Sequence, residues 1–340
     1  MNILSLFGGI ECGRVALDRL GIPVDKYFSS EIDPYAIKIT QANYPDIVHI
    51  GDVQHVWMIN EKLLRYGSLN DWWYCWVDDI IIDLLIWWSP CQDLSIAKAS
   101  WKGLDWEKSG LFYEYVRILK EVRPKYFILE NVASMKSADK EKITEVLREV
   151  YPDTEVHMIN SSLVSAQNRK RLYWTNIPWV TQPEDKWILL RDILEDIPMD
   201  DERWKPLDEK YLTDKVKLQL KEKSLAITAS YHKKNAQNYF EKSDGQIVLW
   251  QFRRWAHLRI HADQENAPTL TSNMGTGGNN VPVLINSEYY WRKLTPTECE
   301  RLQTLPDWYT AHVSDSRRYK AIGNGWTVDV ISHILSFIPR

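Results

Sequence analysis

A cysteine ends a strand-like run: Asp79-Ile80-Ile81-Ile82-Asp83-Leu84-Leu85-Ile86 leads through Trp87-Trp88 into Ser89-Pro90-Cys91-Gln92. That order puts the Cys91 thiol in a turn at the carboxyl edge of a sheet, where open α/β folds bind ligands. A thiolate is a strong nucleophile, and an exposed, electropositive turn lowers a thiol's pKa. The same cysteine, if buried, would be a small hydrophobe and nothing more. A carboxylate follows on what would be the same edge in a parallel sheet: the run Tyr126-Phe127-Ile128-Leu129 ends in Glu130-Asn131-Val132. Apolar neighbours on both sides predict burial for Glu130 and hence a raised pKa. Gln167-Asn168-Arg169-Lys170-Arg171 then reads as a basic loop entering a strand.

The elements that would hold these groups begin at the first residues. Ile3 to Phe7 reads as a strand, Gly8-Gly9-Ile10-Glu11-Cys12-Gly13 as a turn, and Val15, Leu17 and Leu20 as one face of a helix stopping at Gly21. Strand, glycine turn and helix together aim backbone N–H groups at a ligand. A second strand, Lys26 to Ser30, ends in Glu31, close to the offset of about 20 residues at which an acid meets ribose hydroxyls. A third, Ile47 to Ile50, ends in Gly51-Asp52-Val53. Three successive strand ends of this kind point to a nucleoside site. The three-glycine GxGxxG spacing of dinucleotide sites is absent, which favours S-adenosylmethionine.

The 340 residues suit one large α/β domain with a smaller insert. Four cysteines, Cys12, Cys75, Cys91 and Cys299, form neither a disulfide framework nor a zinc signature, so no metal is expected. The opening residues do not read as a signal peptide, and no apolar run approaches the roughly 20 residues that span a bilayer. A cytoplasmic protein is the expectation. Net charge is −4. The basic clusters at 168–171, Lys233-Lys234, Arg253-Arg254 and Arg317-Arg318-Tyr319-Lys320 would permit a phosphate-following groove without a basic chain overall.

A helix is expected from Ser109-Gly110-Leu111 to Val122, before Pro124. From Trp179 to about Tyr290 the α/β rhythm disappears; charged helical pieces such as 214–223 alternate with loops, and 276–280 is glycine-rich. The expected division is 1–178, a smaller domain at 179–290, and a segment at 291–340 that completes the first. That last segment opens with a capping box at Thr295-Pro296-Thr297-Glu298 and closes with Ala321-Ile322-Gly323-Asn324-Gly325-Trp326 and an apolar helix over Val328 to Ile338.

These blocks, in this order, resemble a DNA cytosine-5 methyltransferase: Phe7-Gly8-Gly9, Glu31, Asp52-Val53, Ser89-Pro90-Cys91, Glu130-Asn131-Val132, 167–171, Leu294 to Pro306, and Gly323-Asn324. Val24 to Tyr27, Ser30-Glu31, 93–96 and Trp326-Thr327-Val328 are similar to the vertebrate de novo branch. The long variable region and Ala267-Pro268-Thr269-Leu270-Thr271 look bacterial or phage-like. The resemblance implies a Rossmann-like S-adenosylmethionine-dependent methyltransferase sheet with an inserted target-recognition domain. It implies cofactor contacts from Phe7, Gly8, Gly9, Ile10, Glu31, Ile32, Asp52, Val53, Pro90, Leu111, Asn324 and Trp326, with Glu31 on the ribose and Asp52 on the adenine amine. Cys91 would add to carbon 6 of a flipped-out cytosine, Glu130 would protonate ring N3, and Arg169 and Arg171 would hold the base oxygen and a phosphate. Gln92, Ser95, Asn131, Arg169, Arg171 and Thr271 would meet DNA. Implied partners are double-stranded DNA and a cognate restriction endonuclease acting separately; the protein itself would be a monomer.

Two alternatives differ in kind. A tRNA cytosine-5 methyltransferase shares the architecture, but that branch carries Cys-Phe-Thr in its recognition region, and no cysteine lies between Cys91 and Cys299 here. A catalytically impaired homologue is the other, because Trp87-Trp88 stands where the family has glycine. The chain holds 17 Trp and 14 Gly, whereas average usage gives about 24 Gly. Trp101, Trp106, Trp250, Trp255 and Trp291 also look misplaced at turns. Glycine codons read as tryptophan would deplete one residue and enrich the other together.

Overall fold

The computed structural model describes residues 1–59, 62–66, 74–88, 110–206, 248–253, 257–260, 267–270, 281–285 and 290–339. Cys91, Pro90, Gln92, Ser95 and Thr271 lie outside the described residues, as do 214–223 and 276–280.

Apolar runs with strand propensity form β1 (Asn2–Leu6), β2 (Lys26–Ser30), β3 (Val48–His49), β4 (Val56–Ile59), β5 (Lys62–Tyr66), β6 (Tyr74–Asp79), β7 (Leu84–Trp88), β8 (Tyr126–Val132), β9 (Glu155–Asn160), β10 (Gln167–Asn168) and β11 (Lys170–Thr175). Seven of them build the main sheet in the order β3-β2-β1-β7-β8-β11-β9. β3, β2, β1, β7 and β8 run parallel, and β11 is antiparallel to both its neighbours. The strand order reverses between β1 and β7, and in open α/β sheets ligands bind in the crevice beyond such a switch point. The turn after β1 and the carboxyl end of β7 flank it.

Alternation along each strand divides the core between two faces. Ile3, Leu84, Ile86 and Ile128 pack against helix α1 (Cys12–Arg19) and the Val328–Leu335 helix. Leu4, Leu6, Leu85, Trp87, Phe127 and Leu129 pack against α3 (Gly110–Val122) and α4 (Ser137–Val150). α2 (Pro34–Asn43) follows β2, and Asp33 caps it by accepting from Tyr35 N.

Several sequence expectations change. The apolar run over 79–86 is split: β6 belongs to a separate three-stranded sheet with β4 and β5, and only β7 joins the main sheet. Trp87, Trp250 and Trp291 are strand residues, paired with Leu129, Ile260 and Lys205, not turn residues. The C-terminal basic cluster is partly spent inside the fold. Arg318 pairs with buried Glu300 at 3.1 Å and Lys320 with Asp33 at 2.6 Å, so neither is a loose phosphate ligand.

The region beyond 179 adds β12 (Lys205–Pro206), β13 (Val248–Arg253), β14 (His257–Ile260), β15 (Ala267–Pro268), β16 (Val281–Ile285) and β17 (Tyr290–Lys293). Five of these form a second sheet, β12-β17-β16-β13-β14, and β15 pairs with β10. The capping box forms as expected: Thr295 N donates to Glu298 Oε2 at 2.8 Å, and Glu298 N to Thr295 Oγ1 at 3.1 Å. Glu298 also takes a bidentate pair from Arg292 at 2.7 and 2.8 Å, both side chains being buried.

Candidate active site

The turn after β1 is held in an unusual backbone state. Phe7, Gly9 and Glu11 all have positive φ, near 55°. Such conformations persist where surrounding contacts over-determine them, and they collect at ligand clamps. Gly8 has no room for a side chain, because a Cβ there would lie 1.7 Å from Glu11 Oε1. Glu31, at the end of β2, accepts from Gly9 N at 2.8 Å through one oxygen and from Ile32 N and Asp33 N at 2.7 Å through the other. One carboxylate thereby ties two strand ends together and keeps lone pairs for hydroxyl donors. Ile32 beside it is 69% exposed, an apolar surface of the kind a purine covers. Asp52 caps the short helix Val53–His55 through Gln54 N at 3.0 Å, with Val53 buried.

These observations fit the nucleoside and sulfonium of S-adenosylmethionine: bare glycine backbone, an anchored carboxylate and an adjoining apolar face. Glu31→Ala should weaken binding of that cofactor by about 1–3 kcal/mol, the scale of a lost charged hydrogen bond. Titration calorimetry checks it, and an unchanged affinity refutes the role.

Glu11 is a feature that motif reading passed over. It lies in the first turn of the glycine loop, is 1% exposed, and accepts from Tyr27 Oη at 2.7 Å and from Ser29 Oγ. Burial pushes its carboxyl up to about 7, against the hydrogen bonds of Ser29, Tyr27 and Ser5. The folded protein thus keeps a proton that the unfolded chain releases near pH 4.5. Stability from this group is present at low pH and is lost as pH rises through about 7, by roughly 3 kcal/mol in all. Glu11→Gln should remove that share of the slope, raising Tm at pH 8 relative to wild type but not at pH 5. Parallel melting curves for the two proteins across that range would refute it. An acid inside a glycine turn was the only sequence signal.

At the far side of the crevice Glu130 is 2% exposed at the end of β8, in register with Trp88 of β7. Arg171 Nε reaches Glu130 Oε1 at 2.7 Å from the neighbouring antiparallel strand β11. Burial raises the Glu130 carboxyl, and this outweighs Arg171, Arg169 and the Trp326 indole, all of which favour the anion. The result is a buried acid inclined to keep its proton beside donors that fix its direction. Asn131 next to it is also buried, its Oδ1 accepting from Val132 N at 2.7 Å.

The Gly323–Trp326 stretch, whose Trp326 is buried, is braced from two directions. Arg169, 4% exposed, donates to Gly325 O at 3.1 Å, Gly323 O at 3.5 Å and Leu270 O at 3.0 Å. Gln303 Nε2 donates to Gly325 O at 2.9 Å and Ile322 O at 3.0 Å. Here, then, Arg171 meets the acid directly, while Arg169 binds backbone. A small cavity lined by Ser5, Gly8, Glu11, Cys12, Gly13, Ile86 and Trp326 joins this stretch to the loop after β1. Ile10 is buried there, its carbonyl accepting from Tyr309 Oη at 2.7 Å. Leu111 packs half-buried in the first turn of α3, and Asn324 is exposed at the end of the Asp315–Asn324 helix. Among the described residues no group of three or more His, Cys, Asp or Glu could hold a metal ion. Among them too, no helix is long and apolar enough to cross a membrane.

A sheet with this order, with the glycine loop and the buried acid to either side of its switch point, defines an open α/β fold of the kind that binds ligands at that edge. The model of the C-5 cytosine-specific DNA methylase family matches residues 1–340, and the chain belongs to that family. The orphan methyltransferase M.SPRI of Bacillus phage SPR is 26% identical over 98% of this chain and 96% of its own length. The type II methyltransferase M.Bsp6I of Bacillus sp. (strain RFL6) is 26% identical over 100% and 99%. The crystal structure of the S. pombe Dnmt2 methyltransferase shares the fold, with a TM-score of 0.60 at 17% identity over 99% of this chain and 97% of that one.

Proposed function

We propose that this protein transfers a methyl group from S-adenosylmethionine to carbon 5 of cytosine in double-stranded DNA, through a covalent adduct of Cys91. The observation that carries the reading is Glu130: a buried acid with a raised pKa, held by Arg171 at the switch-point crevice of a chain that belongs to a C-5 cytosine methylase family. Carbon 5 of cytosine is a poor nucleophile. Addition of a Cys91 thiolate to carbon 6, with Glu130 giving its proton to N3, breaks the C5–C6 and N3–C4 π bonds and leaves an enamine across C4 and C5 whose carbon 5 is electron-rich. The cofactor, held by the loop after β1, Glu31 and Asp52, would supply the electrophilic methyl. Loss of the carbon-5 proton to a base then expels Cys91 and restores the ring. A stacked duplex hides these atoms, so the reading includes base flipping, with Arg171 positioned by Glu130 to meet the extruded nucleotide.

The test is methyl transfer from tritiated cofactor to duplex DNA and, separately, to tRNA. Label in DNA cytosine is expected. Label in tRNA alone would keep the chemistry and change the substrate; binding of the cofactor with label in neither would mark an impaired homologue.

A further inference from the structure

Three tryptophans stand where an L-residue is out of place. Trp179, Trp187 and Trp308 have φ of 60°, 54° and 66°, in the left-handed region, and their side chains are 77, 75 and 61% exposed. Among the described residues seven non-glycine positions have positive φ, and tryptophan takes three of them. A bulky residue there is an outlier, since its Cβ crowds the backbone, while glycine enters freely. Phe7 and Glu11, two of the other four, are packed into the site loop; the three exposed indoles bury little in return.

Local chemistry agrees. Tyr309 N donates to Pro306 O at 3.3 Å and closes a four-residue turn with Trp308 third. A third turn position with positive φ, as at Trp308, is where such a turn favours glycine. Trp187 N donates to Asp185 Oδ1 at 2.8 Å in a turn nucleated by the aspartate. By contrast Trp174 behaves as a core tryptophan: it is fully buried, and its Nε1 donates to Thr144 Oγ1 at 2.9 Å.

Trp87 is anomalous for another reason. Its indole is buried at the carboxyl end of β7, stacked on Tyr115 at 4.4 Å and near Phe7 and Phe112 at 5.8 and 5.9 Å. Among the described residues its Nε1 has no hydrogen-bond partner, and neither has the Tyr115 hydroxyl. Buried polar atoms are ordinarily paired. An orphan pair beside Phe7, in the crevice itself, marks a space made for something other than this ring.

We propose that positions 87, 179, 187 and 308 are glycine in the protein the cell makes. One codon, UGA, would be read as glycine by the organism where another code reads it as tryptophan, and glycine at 87 would open the slot between Phe7 and Tyr115 to the cofactor's adenosyl group. Reassigning one codon converts only some glycines, which is why Gly8, Gly9 and Gly51 stand unchanged. It also accounts for 17 Trp beside 14 Gly. The claim for 87 rests on the function proposed above; the claim for the other three rests on backbone geometry alone.

The experiment compares the chain as written with Trp179→Gly/Trp187→Gly/Trp308→Gly, with Trp87→Gly, and with Trp174→Gly as control. The triple variant should melt higher and the control lower. Trp87→Gly should bind S-adenosylhomocysteine about tenfold or more tighter. A triple variant that melts at or below the parent overturns the reassignment. A higher-melting triple variant without tighter binding by Trp87→Gly overturns only the slot. If the Trp87→Gly protein binds the cofactor yet methylates nothing, the proposed function falls and the reassignment stands. Mass spectrometry of peptides from the native source should show glycine at all four positions; tryptophan there overturns the proposal.

Discussion

Glu130→Gln should slow methyl transfer to DNA by about 10²–10⁴-fold, the range that general acid catalysis contributes. The amide keeps the shape of the carboxyl and still accepts from Arg171 Nε, so the 2.7 Å contact that orients it survives. What it lacks is an acidic proton, which burial favours on Glu130 and which the proposed mechanism passes to N3 of the base. Cofactor affinity should therefore stay near wild type while turnover falls. The sign with pH follows from the raised pKa. Activity that depends on the protonated acid declines as pH rises through the folded-state value, and the glutamine variant should lack that limb. Near-normal turnover at neutral pH, or an unchanged pH profile, would exclude Glu130 as the acid.

Cys91→Ser should abolish covalent capture by duplex DNA carrying 5-fluorocytosine and lower turnover by at least about three orders of magnitude, the scale of removing one nucleophile. Fluorine at carbon 5 cannot leave as a proton, so the wild-type adduct persists and is read as a band resistant to denaturation. A serine hydroxyl is scarcely ionised at neutral pH. Two of the other three cysteines are poorly suited to replace it. Cys12 is 3% exposed with its thiol pushed up to about 12 by burial, and Cys299 is fully buried with its thiol also raised. A band that survives the substitution and maps to Cys12, Cys75 or Cys299 would overturn the assignment.

What the sequence disclosed was local chemistry. The strand–glycine–helix start, Glu31 and Glu130 at strand ends and the Thr295–Glu298 capping box each depend on a few neighbouring residues, and each appears as read. What stayed hidden depends on partners far along the chain. Arg169 looks like any arginine in a basic loop until Gly323 and Gly325, more than 150 residues away, present their carbonyls to it. Lys320 reads as a surface charge until Asp33 is found beside it. The break between β6 and β7 was masked because Ile80-Ile81-Ile82 and Leu84-Leu85-Ile86 read as one apolar run around Asp83, and periodicity cannot say where one sheet ends and another begins. Glu11 reverses the usual expectation that an acid in a loop faces water.

The packing of α1 on the Val328–Leu335 helix bears on how this protein is made. The apolar side of α1, with Val15, Ala16 and Leu17 buried, is synthesised roughly 300 residues ahead of the helix that covers it. At about 5–20 residues per second, that surface waits about 15–60 seconds without its partner. The interval is an opening for chaperones and for aggregation. A stall or a premature stop just before residue 328 would release a chain with its nucleoside loop complete and the face beneath it bare.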